Sequence, residues 1–132
     1  MIGVYEAFFT ALSGDVTLQS LLGGSATDKK VYPIATTGRS ELPAIKVAVV
    51  AGSSDLGLNI DRPVVDVLIS SLVSTSELNN IGNAVDSVLN RKRLSGPNGS
   101  VLHVVRKIAQ RDDYDPNVLE YRRVIRYTVV KT

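Results

Sequence analysis

The first part of the chain carries two helical stripes, each with its own stop. Val4, Phe8, Ala11 and Leu12 recur at the spacing of one helix face, with Tyr5 and Phe9 beside them. Glu6 sits inside this apolar run and no basic segment precedes it, so the stretch reads as an amphipathic helix rather than a secretion signal. Gly14 ends it. Asp15 then has the chemistry of an N-cap for a short second helix, "DVTLQSLLGG", with Leu18, Leu21 and Leu22 as its buried face and Gly23 as its stop.

Beyond "GGSATDKK", a turn or loop, the period changes from that of a helix to that of a strand. "VYPI" suits a short edge strand, because Pro33 has no N–H to give to a ladder. After a second loop, "ATTGRSEL", the stretch "PAIKVAVVA" puts Ile45, Val47 and Val49 on one face and Ala44, Lys46, Ala48 and Val50 on the other. "GSSDLGLNID" reads as a long hairpin tip, the kind of loop that often carries function. In the next strand, "RPVVDVLISSLV", Asp66 lies opposite the Val65, Val67 and Ile69 face, so its own face must be wet or paired.

The best-marked element follows. Ser74 and Glu77 have the spacing of a capping box, in which each side chain satisfies a free backbone N–H at a helix start. Leu78, Ile81, Val85, Val88 and Leu89 then form a stripe, with Ala84 between. Asn79, Asn80, Asn83, Asp86 and Asn90 face away, and Arg91, Lys92 and Arg93 would close the helix at its negative dipole end. "SGPNGS" breaks the chain, and two strands finish it, "VLHVVRKIAQ" and "VLEYRRVIRYTVVK". Helices and strands do not alternate regularly. The expected fold is therefore α+β, an antiparallel or mixed β-sheet with helices packed on one face, built as a single domain over residues 1–132.

Composition narrows the function. There is no cysteine, which removes disulfides, thiolate metal sites and a Cys nucleophile. No apolar run approaches the length of a membrane span, so the protein is expected to be soluble, with no membrane partner. The net charge of +2 is unevenly placed: residues 1–90 hold five Lys or Arg against nine Asp or Glu, and residues 91–132 hold ten against four. A solvated sheet face, nucleic-acid contact, and subunits packing acidic half against basic half all account for such a split.

Asp112, Asp113 and Asp115 are the residues a Mg²⁺-dependent nuclease would use. They fall next to Pro116 and Asn117, where "YDPN" is turn chemistry, and a solvated turn is the plainer reading. His103, the one histidine, lies in an alternating strand with no thiolate to complete a zinc site, and reads as an ordinary strand residue. Neither "SLLGGSA" nor "SGPNGS" has phosphate-loop spacing. No cofactor, metal or catalytic set is expected, and the protein is not expected to be an enzyme. Arg91, Lys92, Arg93, Arg106, Lys107, Arg111, Arg122, Arg123 and Arg126 would suit a phosphate-binding surface, but no recognition helix or stacking platform accompanies them. In the last strand Arg123 falls among Tyr121, Ile125 and Tyr127, a mixture favoured at protein–protein interfaces.

Taken in order, "VYEAFFTALSGDVTLQSLLGG", "KKVYPI", "LPAIKVAV", "RPVVDVLISS", the helix "SELNNIGNAVDSVLN" and the closing "RDDYDPNVLEYRRVIRYTVV" give a layout that resembles the tail terminator, or tail completion, proteins of long-tailed bacteriophages and related tail-like particles. The likeness is one of order and apolar positions, not of catalytic motifs. It implies a structural virion protein forming a ring, a hexamer, on the last ring of the major tail tube protein. Such a ring ends tube polymerisation and offers its other surface to head connector proteins, the tail side of the head–tail joint. DNA would pass through without sequence-specific contact. It further implies a location in the virion tail after assembly in the host cytoplasm. A head–tail connector or neck protein of the same size class is the alternative within that setting, and a basic nucleic-acid-binding module the alternative outside it. A ring needs a heterologous interface that closes. The expected contacts are Arg122, Arg123 and Arg126 of one copy against Asp61 and Asp66 of the next. Gly52, Ser53, Ser54, Asp55, Leu56, Gly57, Leu58 and Asn59 form the expected partner-binding loop.

Overall fold

In a computed structural model, residues 2–23, 29–33, 43–54, 61–95, 101–117 and 119–131 are described, with side chains for all of these except 2–3, 50–54, 61–63, 95, 101–103 and 130–131. Helix α1 (Ile2–Ser13) buries Val4, Phe8 and Leu12 of the predicted face, with Ala7 buried beside them and Ala11 only partly so. Asp15 caps α2 (Val16–Leu22) by accepting a 2.9 Å bond from the Leu18 amide, and Gly23 ends it in the left-handed conformation. Leu18 and Leu22 are buried but Leu21 is exposed, against expectation. A helix this short presents one narrow stripe to its neighbours, and the i, i+4 pair takes it.

Strands β1 (Val31–Pro33), β2 (Ala44–Ser54), β3 (Asp61–Ser71), β4 (Leu94–Ser95), β5 (Val101–Asp115) and β6 (Glu120–Lys131) form one sheet in the order β1-β2-β3-β6-β5-β4. β1 runs parallel to β2, and every other pairing is antiparallel, so the sheet is mixed. β1 lies at an edge, as Pro33 requires.

The register aligns one apolar face. Val47, Val67 and Ile125 stand side by side across three strands, and Val49, Val65 and Tyr127 form the next row. α1, α2 and α3 (Thr75–Leu89) cover this face with Phe8, Leu12, Leu18, Leu78, Ile81, Val85 and Leu89, all fully buried. Phe8 meets the Tyr127 ring edge to face, with centroids 6.3 Å apart. The fold is α+β with helices on one face of the sheet.

Several boundaries differ from the sequence reading. β2 continues through Gly52, Ser53 and Ser54, and β3 begins at Asp61, because the hairpin ladder resumes after a bulge at Val50. Asp55, Leu56, Gly57, Leu58 and Asn59 lie outside the described residues. β5 runs on to Asp115 because Arg122 and Arg123 stand opposite Asp113 and Asp112, and opposite charges across a ladder favour pairing over turning. α3 stops at Leu89, and Arg91, Lys92 and Arg93 follow it as an exposed connector instead of filling its last turn.

Candidate assembly interface

The helix-facing side of the sheet turns polar where it reaches β5. The row Ile45, Ile69, Arg123, Asp112 begins with two aliphatic side chains and ends with an ion pair. Arg123 is only 6% exposed, and its guanidinium donates to both Asp112 oxygens, at 2.7 and 2.9 Å, to Asn79 Oδ1 at 2.6 Å and to the Leu78 carbonyl at 3.3 Å. The close approach needs Gly82: a Cβ there would lie 2.8 Å from Arg123 Nη1. The hydrogen bonds from Arg123 hold the Asp112 carboxyl below the ordinary carboxylate range.

A second polar knot lies further along α3. Tyr127 Oη donates to Asp86 Oδ1, and Lys107 Nζ donates to Asp86 Oδ2 at 3.1 Å and to Gln110 Oε1 at 2.7 Å. Burial, with the adjacent Asp86 carboxylate, raises the Tyr127 phenol far above its usual range. The polar flank of α3 is thus spent on holding the β5–β6 hairpin under the helix layer.

On the opposite sheet face, Arg126 donates to Asp66 at 2.8 and 3.0 Å, and Asp66 and Arg126 are register partners on β3 and β6. Arg122 reaches Asp115 and Glu120, each at 3.2 Å. The cations predicted to meet Asp66 of a neighbouring copy find their carboxylates within one chain: Arg126 pairs with Asp66 itself, and Arg123 lies in the core. Asp61 stands opposite Ser54 in the ladder, and its side chain is outside the described ones.

The three aspartates do not share a turn either. Asp112 and Asp113 are successive strand residues pointing to opposite faces, and Asp115 opens the turn by accepting the Asn117 amide at 2.9 Å. Among the described residues, no three acidic or histidine side chains come together as a metal site would need. His103 is in β5, and its side chain is not among those described.

One surface was missed. β3 and β6 leave the sheet at the same end, since Ser71 pairs with Tyr121. There Leu72 is 56% exposed, Val73 69% and Leu119 63%, and the exposed Tyr114 stacks obliquely on Tyr121, centroids 4.7 Å apart. Leu119 also has a left-handed backbone, φ 54, unfavourable for a residue with a bulky side chain. The corner is held firmly. Ser71, fully buried, donates to Glu77 Oε1 at 2.6 Å and accepts from the Val73 amide at 3.1 Å. Ser74 accepts the Glu77 amide at 3.2 Å, so half of the capping box forms, while the Glu77 carboxylate turns to the Ser71 hydroxyl. A signal was present in "SLVS": Val73 is the residue before the N-cap, which ordinarily staples onto Leu78, and here it stays in solvent.

No family model matches the chain, and no curated protein matches it. Among solved structures, a chain described as from the virion of a native gene transfer agent particle is similar in fold. The TM-score is 0.79, and the match covers 98% of this chain and 96% of that one at 14% sequence identity. The two share the fold nearly end to end.

Proposed function

We propose that this protein is a structural component of a phage-like virion, and within it a tail terminator. Copies form a closed ring, a hexamer, on the end of the tail tube, stop tube polymerisation and form the tail side of the head–tail joint. The observation that carries this reading is the fold shared over almost the whole chain with a component of a gene transfer agent virion. The exposed apolar end formed by Leu72, Val73, Tyr114 and Leu119 agrees with it, because assembly would cover these side chains. The partners are further copies of the chain, the major tail tube protein and head connector proteins. DNA crosses the ring without its sequence being read. The reading places the protein in the virion tail, after assembly in the host cytoplasm, and gives it no catalytic role.

Particles assembled without the protein test the reading. Tubes of uncontrolled length, restored to a set length by adding the purified protein, are the expected result. Tubes of normal length that fail to join heads would make it a neck protein instead. Normal, joined tails without it would overturn the virion role.

A further inference from the structure

Nine basic residues in the last third of the chain looked alike in sequence, and the structure separates them. Lys107, Arg122, Arg123 and Arg126 are held by carboxylates of their own chain. Arg91, Lys92, Arg93, Arg106 and Arg111 have no ion-pair partner among the described residues, and all five are exposed. The first four are also neighbours. The connector after α3 is fastened along the edge of β5: the Arg91 amide donates to the Val105 carbonyl at 2.6 Å, and the Val105 amide donates to the Lys92 carbonyl at 3.1 Å. Asn90 Oδ1 accepts the Lys107 amide at 3.0 Å. Leu89 and Leu94, both buried, anchor the two ends of this strap. Arg91 is held at φ 60, a conformation an arginine adopts only under constraint. The backbone of three consecutive cationic residues is therefore held beside a fourth on β5. The nearest carboxylate on α3, Asp86, is already engaged by Lys107 and Tyr127.

We infer that this strap, Arg91 to Arg93 with Arg106, binds the phosphate backbone of duplex DNA without reading its sequence. Unpaired guanidinium and ammonium groups carried on a fixed backbone are the chemistry that meets phosphate oxygens. No aromatic side chain lies in the strap to stack on bases, so a backbone contact on double-stranded DNA fits better than capture of single strands. The strap keeps this chemistry whether or not copies close into a ring.

The test is the affinity of the full-length protein for a mixed-sequence DNA duplex, measured by fluorescence anisotropy across a salt series. Each phosphate contact contributes a slope of about −0.9 in log affinity against log salt. The variant Arg91→Asn/Lys92→Ser/Arg93→Ser should lose about 2.7 of that slope per bound copy. The double variant Lys92→Ser/Arg93→Ser, which leaves the constrained Arg91 untouched, should lose about 1.8. Arg126→Gln, whose cation is already paired, should keep the wild-type slope. Absence of binding at low salt, an unchanged slope in both strap variants, or preference for an acidic polypeptide such as polyglutamate over DNA would each overturn the inference.

Discussion

Arg123 of β6 grips Asp112 of β5 with two N–H···O bonds from inside the helix–sheet interface, while the carboxylate it grips remains 42% exposed. The two partners therefore respond unequally to removal. Arg123→Met keeps most of the volume and releases Asp112 to water, at a cost of about 1 kcal/mol. Asp112→Ala leaves a buried guanidinium without its carboxylate and costs about 2 kcal/mol. Urea denaturation of the two variants should rank them in that order. Arg123→Glu, which sets two carboxylates face to face, should prevent folding altogether.

The same pair makes stability depend on acid. The Asp112 carboxyl is lowered in the folded chain by the Arg123 hydrogen bonds. Its contribution is thus fully present above the unfolded-state value of about 3.9 and is lost as pH falls through the folded one. Denaturation midpoints of the wild type should fall more steeply below about pH 4 than those of Asp112→Asn. Parallel curves would show that the pair does not form in solution.

Gly82 and Arg123 should prove coupled. Alanine is favoured over glycine inside a helix by about 1 kcal/mol. At position 82, however, the added methyl meets Arg123 Nη1 at 2.8 Å, and three partners hold that guanidinium in place. Gly82→Ala should destabilise the wild type by about 1 kcal/mol and stabilise the Arg123→Met background by a similar amount. A double-mutant cycle that closes to zero would contradict the contact.

Leu119 offers a way to test folding apart from the proposed assembly. Asparagine tolerates the left-handed backbone that leucine resists, so Leu119→Asn should leave the isolated chain as stable or up to about 1 kcal/mol more stable. It also removes an apolar side chain from the exposed end of the sheet. Native mass spectrometry and light scattering should therefore show weaker self-association in a chain that melts no earlier. Undiminished assembly would take Leu119 out of the interface.

Much of the fold was legible because local signals agreed with one another. The α1 stripe, Asp15 and Gly23 around α2, the edge position demanded by Pro33, the stripe of α3 and the alternation of Ile45, Val47, Val65, Val67 and Ile69 all depend on near neighbours in the chain. The charged residues near the C-terminus were harder to read. "RDDYDPN" has the local look of a turn, and only the register of β6 against β5 makes Asp112 and Asp113 strand residues with arginines opposite.

Sequence alone determined which faces are apolar, where the helices start and where α1 and α2 stop, because those properties follow from residues a few positions apart. Tertiary structure decided which charges are spent and which are free. An ion pair joins residues as distant in the chain as Asp66 and Arg126. Whether a cation ends in the core, like Arg123, or in solvent, like Arg93, depends on where the sheet register places it, and no short-range pattern encodes that.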